Sequence, residues 1–222
     1  LKPSMSFKDQ SFIENSDDFN VFQPSLDVFY KLTPSLTTAL TFNTDFAGTD
    51  IDEQQINLGR FSLFRPEKRD FFLQDAGIFE FGGLSKNGRP FFSRKIGLSS
   101  SGQSLSLDAG IKLTGKIGKL NLGMLSVQQD AEQSSNGAAY VSVARTRYNI
   151  NDNGYIGAIV TSGNPILDQQ DTLLGFDTRQ SYNFQDGQII EGNAWWQTVN
   201  NLNGEKQNNN AYGFNLALPN DK

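Results

Sequence analysis

The chain has 222 residues, 37% of them hydrophobic, a formal net charge of -5, and neither cysteine nor histidine. Those absences exclude a disulfide frame, thiolate or imidazole metal ligands, a Ser-His-Asp triad and a histidine general base within this sequence. The acidic balance argues against a general nucleic-acid binder. No run approaches the roughly 18 consecutive apolar residues of a membrane helix, although a β-barrel spans a bilayer with only alternate residues on lipid.

Leu1-Lys2-Pro3 carries no apolar signal-peptide core, so the sequence reads as an internal piece of a longer precursor. Residues 1–24 are polar and irregular, with a turn-like Asn15-Ser16-Asp17-Asp18 cluster. Residues 25–44 read as a first hairpin that turns at Leu32-Thr33-Pro34-Ser35, where Pro34 suits a turn and would break a central strand. In its second strand Leu36, Thr38, Leu40 and Phe42 share one face. Residues 45–104 form an insertion without clean alternation, and loops of that length inside a compact domain are uncommon and usually functional.

From residue 105 to 222 apolar side chains recur at every second position. Leu107, Ala109, Ile111 and Leu113 precede a tight turn at 114–118, and Leu120, Leu122 and Met124 follow it. A long polar loop at 128–137 leads to a second hairpin with a short turn at 149–154. A long loop at 162–171 leads to a third hairpin with a short turn at 183–188, and an Asn-rich loop covers 200–210. The last run, 212–218, stops at Pro219-Asn220-Asp221. Short turns at one end and long loops at the other are the pattern of an antiparallel transmembrane barrel. The expected fold is therefore all-β: an antiparallel up-and-down transmembrane β-barrel, partial at about nine strands and truncated before closure, with a long lumenal or rim insertion.

The faces sort accordingly. Leu174, Phe176, Thr178 and Tyr182 oppose Asp177, Arg179 and Ser181. Ile190, Ala194 and Trp196 oppose Glu191, Asn193 and Gln197, and Tyr212, Phe214, Leu216 and Leu218 oppose Gly213 and Asn215. The first set in each case fits lipid, along with Leu120 and Leu122, and the second a wet lumen. Tyr148, Tyr182, Trp195 and Trp196 are expected in aromatic girdles near strand ends. A soluble β-sandwich shows the same period and is the alternative architecture.

If all short turns lie on one side, residues 45–104 must begin and end at the opposite rim. They carry Phe61, Phe64, Phe71, Phe72, Phe79, Phe81, Phe91 and Phe92. Burying one such ring is worth roughly 1.5–3 kcal/mol, so the segment is expected to fold into or across the lumen. Arg60, Arg65, Glu67, Lys68, Arg69, Asp70 and Arg94, with Arg89 and Lys95 nearby, form a mixed-charge patch among these rings. A charged lumenal constriction would select solutes. An ion-pair network pinning the insertion to the wall is the plainer reading. Alternation puts Glu67 and Arg69 on one face of an extended chain and Lys68 and Asp70 on the other.

Asp45, Asp50 and Asp52, with Glu53, offer a weak candidate for calcium. The spacing is not that of an EF-hand loop, and a solvated acidic loop explains it as well. Asp75 and Glu80 make no glycosidase motif, and Gly82-Gly83 and Gly115 to Gly118 are turn glycines without the Gly-Lys-Ser/Thr of a phosphate loop. No catalytic residue and no cofactor is expected.

The insertion also carries a family likeness. Asn43-Thr44-Asp45-Phe46, Gln55-Ile56-Asn57-Leu58 and Arg60-Phe61 come first. Phe64-Arg65-Pro66-Glu67-Lys68-Arg69-Asp70-Phe71-Phe72-Leu73 follows, and then Pro90-Phe91-Phe92-Ser93-Arg94-Lys95-Ile96-Gly97. The order resembles the NPDF…QVNL…RFELFFPEKRPFFLE…PLFYSRRIG pattern of the bacterial DUF5916 family, over roughly residues 36–128. Asp70 stands where Pro is common and Gln74 where Glu is common, so that acid has no counterpart here. The resemblance implies an outer-membrane-type barrel of unassigned activity, in proteins that usually carry an N-terminal carbohydrate-binding family 9-like domain. That domain is absent from this sequence, so its sugar recognition does not transfer to these residues.

The expected function is that of a porin-like barrel in the outer membrane of a Gram-negative bacterium, passing or handling a solute such as a saccharide. Its expected partners are the lipid bilayer, a saccharide, and the remainder of its own chain or an N-terminal domain, with no nucleic acid. The alternatives are a non-transporting cell-surface binding or scaffold barrel, a soluble β-sandwich binding module, and an outer-membrane hydrolase. Against the last stand the missing histidine and the missing catalytic motif.

Overall fold

The computed structural model describes residues 2–6, 25–44, 67, 69–85, 87–98, 105–130, 138–164, 171–184, 188–200 and 209–219. The strands are β1 (Lys2–Ser6), β2 (Ser25–Thr33), β3 (Leu36–Thr44), β4 (Leu107–Ile117), β5 (Leu120–Asp130), β6 (Ala138–Asn151), β7 (Gly154–Ser162), β8 (Thr172–Asn183), β9 (Ile189–Asn200) and β10 (Asn210–Ala217). They form one antiparallel sheet in sequence order, open between β1 and β10. β2 to β10 are the nine strands of the expected up-and-down pattern, and β1 adds a short strand within a segment expected to be irregular. The described strands make a single sheet, not the two packed sheets of a sandwich.

The turns fall near their expected places. Pro34 and Ser35 turn β2 into β3, Gly118 and Lys119 turn β4 into β5, and Asp152 and Asn153 turn β6 into β7. Gly118 has φ +59, a left-handed conformation that glycine adopts at no steric cost. β4 is longer than expected. Its strand continues through Thr114 to Ile117, because those residues pair with Gly123 to Leu120 and not with each other.

Register sorts the side chains into two faces. Ala39, Lys112, Leu125 and Val143 lie in one cross-strand row, and Leu40, Ile111, Ser126 and Ser142 in the next. With period two, the first row and its alternates form one face, covered by residues 69–98, and the second row the other. One alternation was misread. Leu107 does not share a face with Ile111 and Leu113, because a bulge at Asp108 inserts an extra residue between Leu107 and Ala109. Leu107 therefore turns to the covered face and is fully buried, while Ile111 is exposed on the other.

Among its described residues the insertion contains one short helix, α1 (Asp70–Leu73), and two 3-10 turns, Ala76–Phe79 and Ser93–Lys95. Phe71, Phe72, Phe79, Phe81 and Ile96 pack with Leu107, Leu125, Val127, Val141, Val143 and Ile159 into one core between insertion and sheet. This burial is the reason the segment lies on the sheet. Phe92 is only half-buried, and Phe64 lies outside the described residues.

The opposite face is uncovered among the described residues. Tyr30, Phe42, Ile111, Met124, Tyr148, Ile156, Phe176, Trp196, Tyr212, Phe214 and Leu216 are all exposed there. Leu120 and Leu122 lie in the same rows and are half-buried by their neighbours. Trp195, expected in a girdle, instead points to the insertion side, where its ring meets Phe81 at 6.4 Å between centroids.

Candidate functional site

The charged patch of the insertion closes on itself first. Arg69 Nε donates to Glu67 Oε1 at 2.7 Å and Arg69 Nη2 to Glu67 Oε2 at 2.7 Å. The two residues are two apart in an extended stretch, which places them on one side as the alternation requires. Arg69 also donates to the carbonyls of Ile96, at 2.7 Å, and Ser93, at 2.8 Å. Ser93 Oγ donates to Glu67 Oε2 at 2.7 Å. The guanidinium lies 4.2 Å from the Phe72 ring centroid. These bonds tie residues 67 and 69 to residues 93 and 96.

Burial alone would raise the Glu67 pKa, but the Arg69 guanidinium, the Ser93 hydroxyl and the Arg69 amide together hold it below the ordinary value. Glu67 is therefore a carboxylate held in an ion pair and is not poised to act as an acid.

The other expected members are placed differently. Asp70 is exposed at the start of α1, and Arg94 is half-buried in the 3-10 turn Ser93–Lys95. Arg60, Arg65 and Lys68, and the acidic residues Asp45, Asp50 and Asp52, lie outside the described residues. Among the described residues no cluster of acidic side chains has the arrangement of a metal site.

A second set, on the sheet, holds the insertion down. Lys112 of β4 is buried, and its Nζ donates to the carbonyls of Phe71 and, at 2.8 Å, Gln74. These are carbonyls left at the end of α1, where a cation is favoured. Thr114 donates to Asp75 Oδ2 at 2.6 Å. Asp75 itself sits at φ +57, an uncommon conformation for a residue with a side chain. On β5, Gln129 Oε1 accepts from the Gly97 amide at 2.8 Å. On β6, Arg145 Nε donates to the Glu80 carbonyl at 3.1 Å and Arg147 to the Gly77 carbonyl at 3.1 Å. On β8, Asp177 accepts from the Gly82 amide at 2.9 Å and is paired with Arg145. On β9, Gln197 donates to the Gly88 carbonyl at 3.1 Å.

Most of these bonds run from a wall side chain to an insertion backbone group. That is how an irregular segment can be buried, since each buried N–H or C=O left unpaired costs about 1–3 kcal/mol. Sequence reasoning missed Lys112, Thr114, Gln129 and Arg145. The one local signal is the charged Lys112 between the apolar Ile111 and Leu113; Gln129 and Arg145 lie on a face that also carries Leu125, Val127, Val141 and Val143, so alternation does not set them apart.

Glycines make the seats. A Cβ at Gly110 would lie 3.2 Å from Phe71 Cζ, at Gly123 3.0 Å from Phe79, and at Gly175 2.8 Å from Phe81. All three face the insertion, on β4, β5 and β8, so each ring rests on bare backbone where a side chain would lift it.

The arrangement clamps a folded segment against one face of the sheet, and the hydroxyls that meet carboxylates, Ser93 on Glu67 and Thr114 on Asp75, serve as donors in that clamp. No curated protein and no solved structure matches the chain. A family model described as a domain of unknown function, DUF5916, matches residues 1–122, more than half of the sequence, and the chain belongs to that family.

Proposed function

We propose that the chain forms part of an outer-membrane β-barrel that lets a hydrophilic solute such as a saccharide across, with the insertion seated in the lumen. The observation that carries this reading is the division of one sheet into two faces. One is uncovered and lined with large apolar residues from β2 to β10; the other holds the ionic and amide groups and the insertion. Soluble proteins rarely leave a contiguous apolar patch beyond a few hundred Å², whereas the lipid-facing side of a barrel requires one. Sequential antiparallel pairing, with short turns at one end and longer connections at the other, supports the same placement.

A second reading is a cell-surface scaffold barrel that passes nothing. It is favoured by the way the wall grips the insertion, because a segment held this firmly serves as a brace as readily as a constriction. A lumenal hydrolase finds no support in the residues brought together.

Liposome swelling by the full-length protein, with sugars of graded size, tests the choice. Swelling that slows as the sugar grows supports passage. Folded, inserted protein without swelling overturns passage and leaves the scaffold. Protein that stays soluble without detergent and does not float with vesicles overturns the membrane placement.

A further inference from the structure

We propose that the strands cross the bilayer at about 40° to its normal, so that hydrocarbon meets a slanted band of the uncovered face, bounded on the turn side by Leu36, Ile117 and Tyr182 and on the loop side by Gln128, Ser162 and Thr198. This rests on the membrane reading above and gives that contact its depth and orientation.

The first observation is where the short turns fall. Register carries one cross-strand row from Leu36 through Gly115, Leu122, Thr146 and Ala158 to Phe176. The β2–β3 hairpin closes at Leu36 itself. The next three close at Ile117, Asn151 and Asn183, which stand two, five and seven residues beyond that row on β4, β6 and β8. Seven residues of about 3.4 Å, gained over six strand spacings of about 4.8 Å, make a slope of about 40°. With all short turns at one interface, this slope is the strand tilt, and it falls in the range of about 35–45° that barrels require.

The second observation is where the uncovered face turns polar. In the row of Ile111 the change comes at β5, where Leu40 and Ile111 give way to Ser126, Ser142, Ser162 and Thr172. One row nearer the turns it comes only at β9, where Leu113, Met124, Ala144, Val160 and Leu174 give way to Thr198 and Asn210. The polar edge therefore slants in the same sense as the turns, and strand pairing alone does not demand that. Inside the band Thr38 and Thr178 turn their hydroxyls back onto the carbonyls of Lys112, at 3.1 Å, and Tyr155, at 2.8 Å, which satisfies them without water.

The depth agrees as well. From Tyr182 to Thr172 β8 runs ten residues, about 34 Å of strand and about 26 Å of depth at this tilt, and the apolar band of an outer-membrane barrel is about 25 Å tall. Lys112 lies between Ile111 and Leu113, and Asp177 between Phe176 and Thr178. The wall therefore grips the insertion at the depth of the hydrocarbon and not at the rim.

The full-length protein would be folded into phosphatidylcholine vesicles with a fluorophore on a single cysteine at position 124, 198 or 216. Quenching by lipid brominated near the chain end would be compared with quenching by lipid brominated near the carbonyls. Met124→Cys and Leu216→Cys stand three rows apart on the sheet, yet both are expected at mid-depth, quenched more by chain-end bromine. Thr198→Cys shares the row of Met124, yet is expected near the interface, quenched more by bromine beside the carbonyls. Ile111→Cys and Thr172→Cys, which share the next row, repeat the contrast where a first variant fails to fold. Equal profiles within a row, with Leu216→Cys at a different depth from Met124→Cys, would overturn the tilt and leave the protein in the membrane. Folded protein quenched by neither lipid at any site would overturn the membrane reading together with it.

Discussion

Arg145 of β6 and Asp177 of β8 reach each other across the intervening strand β7, because Gly157 lies between them. Nη1 meets Oδ1 at 2.6 Å and Nη2 meets Oδ2 at 2.8 Å. A Cβ at position 157 would stand 2.6 Å from both Arg145 Nη1 and Asp177 Oδ1. The pair is fully buried, and Tyr155 OH and the Gly82 amide donate to the same Asp177 oxygen, Oδ2, at 3.2 and 2.9 Å. Wall and insertion thus share one ionic group.

Breaking such a pair from one side leaves a buried charge alone, which costs about 3–5 kcal/mol, whereas replacing both partners by apolar residues is often close to neutral. Asp177→Asn is therefore expected to destabilise the protein by about that amount, and Arg145→Met with Asp177→Leu by clearly less. Urea unfolding of the three proteins measures the difference. A double variant as weak as the single one would show that the Gly82 and Glu80 backbone bonds matter more than the charges.

The glycine seats make a separate prediction. At Gly175 a methyl would meet Phe81 Cζ at 2.8 Å, Phe81 Cε2 at 2.9 Å and Ile159 Cγ2 at 3.0 Å. Those atoms belong to a buried ring and a buried branched side chain that cannot swing away. Gly175→Ala is expected to cost about 1–3 kcal/mol, the usual penalty of overpacking. Gly77→Ala serves as the control, since nothing lies within 4 Å of a Cβ there. Thermal unfolding of both variants checks the contrast, and equal midpoints would show that the insertion floats on the sheet.

How much of this could be read from residues alone depends on range. Alternation located the hairpins because successive side chains of a strand point to opposite faces of the sheet, and it sorted Phe176 from Asp177 and Trp196 from Gln197. It failed at Leu107, where a bulge shifts the phase and composition gives no warning. It also failed at Trp195: two adjacent tryptophans must point to opposite faces, so only one could join a girdle. The Glu67–Arg69 pair was legible because its partners are two residues apart. Lys112, Gln129 and Arg145 were not assigned, because their partners in the insertion are backbone carbonyls and one backbone amide dozens of residues away, which carry no side-chain signature.

The pH response follows from Glu67. Its pKa in the folded protein lies below the ordinary value of about 4.3. A depressed carboxylate contributes stability that is present above its unfolded pKa and is lost as pH falls through the folded pKa. The insertion is therefore expected to loosen below about pH 4, with Glu67→Gln removing that part of the acid sensitivity while lowering stability at neutral pH. Hydrogen exchange at the Ile96 amide, which donates to Ser93 beside the pair, reads the local opening as pH is lowered. An unchanged profile in Glu67→Gln would assign the acid response to other carboxylates.

Phe214 offers the sharpest test of what the apolar face meets. It stands on β10 at 85% exposure, with far fewer neighbours than Trp196 at 37%, so replacing it removes little packing. The cost of Phe214→Arg is then set mainly by the surrounding medium. In water, an exposed substitution away from special features changes stability by about 0.5 kcal/mol or less in either direction. Against hydrocarbon near the bilayer midplane, arginine costs about 2–4 kcal/mol, falling toward zero near the interfaces. Tyr212 and Leu216 flank it on the same face, so the apolar band continues on both sides of the site. We expect the larger value for the full-length protein folded into phospholipid vesicles, measured by denaturant titration. Asn215→Arg, turned to the inner wall one residue away, is expected to stay within about 1 kcal/mol of the parent, as lumen substitutions do. Equal and small effects at both positions would place the apolar face in water or against protein, and the membrane reading would fall.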